Sequence, residues 1–71
     1  SDFSGDERDK LLLARAERLY QELTGINRVR IAKAMEDYEY VISVNDKHAK
    51  HILRQQITAM LDRFEEFFDV E

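Results

Sequence analysis

Leu12, Ala16, Leu19 and Leu23 recur at steps of four, three and four, and Leu13 and Tyr20 widen the stripe. Apolar side chains at that spacing line one face of an α-helix, which predicts a first helix over about residues 5–24. Ser4 and Glu7, three apart, fit a capping box at its start. Gly25 predicts its stop, because glycine adopts the left-handed conformation after a C-cap without penalty. A second stripe of Ile31, Ala34, Met35, Tyr38, Val41 and Ile42 predicts a helix over 26–43. Tyr38, Tyr40, Ile42 and Val44 also alternate with period two, and such residues favour strands. A lone strand would have no partner, so the helix is preferred, with a frayed end. The third stripe is the broadest: Ala49, Ile52, Leu53, Ile57, Met60, Leu61, Phe64, Phe67 and Phe68 predict a helix over 46–69. Asn45 or Asp46 can cap it, and Arg54, Gln55, Thr58, Asp62, Glu65, Glu66 and Asp69 fall on its polar face.

Three amphipathic helices with short links predict an all-α, antiparallel three-helix bundle. Residues 1–5 read as a disordered tail or a cloning remnant, and 6–71 as one bundle, a fragment of a larger chain. The chain has 71 residues, enough for one small domain with a thin core. It has no Cys and no Pro, which excludes disulfides and thiolate metal sites. No apolar run reaches the ~20 residues of a membrane span. Residues 1–61 carry ten acids and ten bases, so the net charge of −4 belongs to the last ten residues. Without a basic stripe, a nucleic-acid partner is not expected, and neither is a membrane.

The candidate chemistry is sparse. His48 and His51, three apart and near Asp46, have a spacing a metal could use, but two imidazoles and one carboxylate read more simply as a solvated helix start. The carboxylates fall on polar faces rather than in a cleft, so no catalytic residue is assigned. There is no glycine-rich phosphate loop, so no cofactor is expected in this segment. Phe67 and Phe68, near the end of the third stripe, are candidate partner-facing aromatics. The run Leu11-Leu12-Leu13 makes the first helix apolar on more than one side, which points to burial by something outside the bundle.

The run from Asp9 to Leu23, DKLLLARAERLYQEL, resembles the C-terminal helical lid of heat-shock-70 (DnaK-type) chaperones, and most closely the short-lid HscC-like branch. The remainder resembles that lid in layout, over about residues 6–68. The resemblance implies a cytoplasmic stress-response chaperone whose lid covers a peptide-binding β-sandwich of the same parent chain. The lid would slow release of unfolded polypeptide substrates, with ATP bound only by an ATPase domain elsewhere in the parent. It also implies that Asp9 lies where the family carries a latch aspartate to the sandwich loops. The family's latch histidine is replaced by Leu13, so a clasp through Leu11 or Leu13 would substitute. The end Phe68-Asp69-Val70-Glu71 departs from the Glu-Glu-Val-Asp terminus that recruits tetratricopeptide co-chaperones in eukaryotic cytosolic members. The alternative is a stand-alone helical interaction or dimerisation module working through its third helix, and self-association of the fragment fits either reading.

Overall fold

In the computed structural model, which describes residues 5–69, three helices run in sequence: α1 Glu7–Glu22, α2 Gly25–Ser43 and α3 Lys47–Asp69. Each helix packs on both others, so the fold is the expected three-helix bundle. The links are short, so α2 runs antiparallel to α1 and α3, while α1 and α3 are parallel. The long dimension of 40 Å follows from α3, whose 23 residues span ~34 Å at 1.5 Å per residue.

The helix ends explain the register. Ser4 lies outside the described residues, and α1 is closed instead by Asp6 and Asp9. Asp9 N–H donates to Asp6 Oδ1 at 3.1 Å, and Asp6 N–H donates to Asp9 Oδ2 at 2.9 Å. This is a reciprocal capping box built from two aspartates. At the other end, α1 stops before the predicted glycine. Leu23 and Thr24 are extended, and Gly25 then turns the chain into α2 with φ +61°. Thr24 gives α2 no side-chain cap.

The expected fraying of α2 does not occur. Asn45 sits at φ 56°; its N–H donates to Ile42 O at 3.0 Å, and Asp46 N–H reaches back to Val41 O at 3.4 Å. Those two bonds form a Schellman cap with asparagine in the left-handed position. Asp46 then caps α3 by accepting from Ala49 N–H at 3.0 Å. The two candidate caps thus divide the work: Asn45 ends one helix and Asp46 begins the next.

The core runs along the bundle axis. Leu12, Ala16, Leu19 and Leu23 from α1 and its exit meet Ile31, Tyr38 and Ile42 of α2 and Ile57, Leu61 and Phe64 of α3. Leu13, Tyr20, Ala34, Met35, Leu53 and Met60 pack around them. The period-two pattern near Tyr38 resolves as helix: Tyr38 and Ile42 lie one turn apart and buried, while Tyr40 and Val44 point to solvent. Among the described residues, no helix is long and apolar enough to cross a membrane.

Candidate functional site

The most elaborate side-chain arrangement lies at the end of the bundle where α1 begins, α2 ends and α3 begins. Its centre is Asp9, whose side chain is 0% exposed. Oδ1 accepts from Tyr38 Oη at 2.5 Å and from an Arg54 guanidinium nitrogen at 2.8 Å. Oδ2 accepts from Asp6 N–H at 2.9 Å and from Lys50 Nζ at 2.7 Å. An ionised carboxylate offers about four acceptor positions, and all four are filled. The Tyr38 hydroxyl, which donates to Asp9, accepts from Arg54 Nε at 3.0 Å. Asp6 adds a second negative charge at the rim, 3.8 Å from Lys50 and 4.0 Å from Arg54.

Two acids and two bases therefore balance in one layer, and all three helices contribute. No buried side-chain polar atom among the described residues lacks a partner. That matters because a half-satisfied buried network costs more than an apolar core. Burial would raise the pKa of Asp9, but bonds from Lys50, Tyr38 and Arg54 outweigh it and hold the group well below the usual carboxylate range. Burial, with the neighbouring Asp9 charge, pushes Tyr38 up to about 12. The Asp9 backbone N–H holds Asp6 down as well. At neutral pH the layer thus sets two ionised aspartates, Asp6 and Asp9, and a neutral Tyr38 against the two bases. Asp9 and Tyr38 are fully buried, so neither presents an atom to a substrate.

The sequence reading missed Lys50 and placed Arg54 on the polar face, although a signal was present. Lys50, Arg54, Ile57, Leu61 and Phe64 step by four, three, four and three, so the two bases extend the buried stripe of α3. Asp9 likewise extends the α1 stripe, three residues before Leu12. Opposite charges at the same end of two buried stripes mark a buried pair.

Asp9, predicted as a latch toward another domain, is therefore held inside the bundle. To accept a bond from outside it would have to give up one of these four. Leu13 packs against the core rim. Leu11 is the member of the leucine run that faces outward, 62% exposed. Phe64 completes the core, whereas Phe67 is 70% and Phe68 46% exposed. His48 and His51 are both exposed, and no cluster of three or more metal-ligating side chains occurs among the described residues.

Two surface grooves flank the core. One, about 410 Å³ between α2 and α3, is lined by apolar Val29, Ala34, Leu53, Ile57 and Met60 together with charged Arg30, Lys33 and Asp37. The other, about 400 Å³, holds Arg8, His51, Arg54 and Thr58. Further along α1, Arg15 bridges to α3. Its guanidinium donates to Asp62 at 2.6 Å and, through Nε, to Glu65 at 2.7 Å. Part of the acidic surplus of α3 is thus neutralised within the bundle.

No protein-family model, curated protein or solved structure matches this chain.

Proposed function

We propose that this chain is the helical lid of a heat-shock-70 chaperone of the HscC-like type, covering a peptide-binding β-sandwich and slowing peptide release. An ATPase domain elsewhere in the parent would control it, and ATP would bind there. The observation that carries the reading is α1: the lid-like run from Asp9 to Leu23 lies on a helix braced from behind by α2 and α3, with Leu11 turned outward.

The bundle geometry changes how such a lid would latch. Asp9 acts indirectly, by fixing the start of α1 against α2 and α3. Leu11 is the contact that bears on the neighbouring surface, as an apolar clasp. A lid is a docking element whose closed population sets the off-rate, so weakening either residue speeds release by a different route. Leu11→Ser loosens docking while the bundle stays folded. Asp9→Ala loosens the bundle itself.

The test is release of a fluorescent peptide from the intact protein that contains this segment. Leu11→Ser is expected to raise the release rate several-fold with bundle stability unchanged, and Asp9→Ala to raise it with bundle stability lowered. An unchanged rate in Leu11→Ser, with the lid folded, refutes the clasp. A coding sequence with no β-rich segment and no ATPase domain upstream of this chain refutes the lid.

A further inference from the structure

The groove between α1 and α3 is lined mainly by polar side chains. Arg8 stands on the α1 side, and His51, Arg54, Gln55, Thr58 and Asp62 stand on α3, around a space of about 400 Å³. His51, Gln55, Thr58 and Asp62 step by four, three and four, and Arg54 lies beside them, so one face of α3 carries the set. Arg8, His51, Arg54, Gln55 and Thr58 can all donate hydrogen bonds. Asp62 is the carboxylate of this wall, and Arg15 holds it at 2.6 Å.

Arg54 is the fixed point of the groove. Its side chain is 16% exposed. Nε donates to Tyr38 Oη at 3.0 Å and a terminal nitrogen donates to Asp9 at 2.8 Å. Those bonds use two of the five N–H donors of a guanidinium and hold its plane in place. The other donors of this groove-lining group are therefore positioned before any ligand arrives, which lowers the ordering cost of binding. Arg8 is open, with 72% of its side chain in water and a 3.4 Å contact to Asp6. It can close over a ligand from the α1 side. The neighbouring negative charges have partners within the bundle: Asp9 is enclosed by Lys50 and Arg54, Asp6 faces Arg8 and Lys50, and Asp62 faces Arg15.

We infer that this groove binds the phosphoryl group of a small phosphate monoester, Arg54 and Arg8 holding its oxygens from two helices and His51, Gln55 and Thr58 completing the donor set. A planar carboxylate is satisfied by the fork of one guanidinium. Donors spread over two helices suit a tetrahedral group with three acceptor oxygens, and a space of this size suits a small molecule. This inference is independent of the lid reading.

NMR titration of the chain with inorganic phosphate and with phenyl phosphate, at ionic strength held constant with sodium chloride, tests it. The side-chain signals of Arg8, His51, Arg54 and Gln55 are expected to shift together and to saturate in about the millimolar range. Phenyl phosphate is expected to bind at least as tightly as inorganic phosphate, and acetate at least about tenfold more weakly than either. Arg8→Ala is expected to weaken phosphate binding about tenfold and Gln55→Ala about threefold, both at exposed sites outside the core. Arg28→Ala, which removes the guanidinium stacked on Tyr20, is expected to leave binding unchanged. Circular dichroism reports whether each variant stays folded. Shifts that rise with phosphate without saturating, acetate that binds as well as phosphate, or saturation indifferent to Arg8→Ala in the folded bundle overturns the inference.

Discussion

Asp9 illustrates how far a charged side chain can be buried when every acceptor position is filled. Removing it leaves Lys50 and Arg54 facing each other with only Asp6 at the rim, 3.8 and 4.0 Å away, as counter-charge. Losing one partner of a buried pair costs about 3–5 kcal/mol. Lys50 and Arg54 keep a minor part of their surface in water, so Asp9→Ala is expected near the lower figure, measured by urea unfolding at neutral pH. Tyr38→Phe removes one bond to a charged acceptor and is expected to cost about 1.5–3 kcal/mol in the same assay. The pH dependence has a definite sign. The folded pKa of Asp9 is depressed, so its contribution is full above about pH 5 and is lost as pH falls through ~4 and below. Tyr38 works in the opposite direction: with a folded pKa raised to about 12, its contribution is present below ~10 and lost as pH rises from there. Tyr38→Phe is therefore expected to flatten the alkaline arm of the stability profile. An alkaline arm of unchanged steepness in Tyr38→Phe would refute that assignment. The positions of these residues were legible in the stripe spacing, but their burial was not. Periodicity read on apolar residues alone ends a stripe at the first charge, and only the facing helices reveal that the charges are paired.

At the level of the helices, most of the pattern was legible. The three stripes, their order and their links follow from apolar spacing, and Phe64 falls in the core as its period requires. The ends were less so, because caps depend on a single residue's backbone angles rather than on a repeated pattern. Ser4–Glu7 and Asp6–Asp9 have the same spacing, and sequence gives no reason to prefer the second until Asp9 is seen anchored to α3. Gly25 shows the reverse case, a residue whose conformation was foreseen but whose role shifted from stopping α1 to starting α2. A Cβ at Gly25 would meet nothing within 4 Å, so only its φ of +61° resists substitution. Gly25→Ala is expected to cost about 1–2 kcal/mol, the penalty of a left-handed alanine, read from the thermal midpoint. No loss of stability would mean that the α1–α2 link takes another conformation. Arg15 ties α1 to α3 through partly exposed acids, so Arg15→Ala is expected to cost no more than about 1 kcal/mol, shrinking with salt.

For the whole molecule, one polar layer does what an apolar core alone does poorly: it fixes how three similar helices are staggered. Leucine stripes can slide by a turn and still bury apolar surface. A carboxylate that must meet Tyr38, Lys50 and Arg54 together has a single solution. The proposed lid depends on that stagger, since it sets where Leu11 stands on the outer face of α1. What sequence could not supply was the surroundings of the bundle, because an exposed leucine or phenylalanine has the same spacing whether or not another surface covers it. The central claim is that Asp9 is ionised and enclosed by the bundle's own donors. Its most direct test is a carbon-detected NMR titration of the Asp9 carboxyl in the folded chain. The account predicts that this carbon does not titrate across the usual carboxylate range and changes only when acid unfolds the bundle. A titration midpoint near the ordinary value of ~4 in the folded state would contradict it.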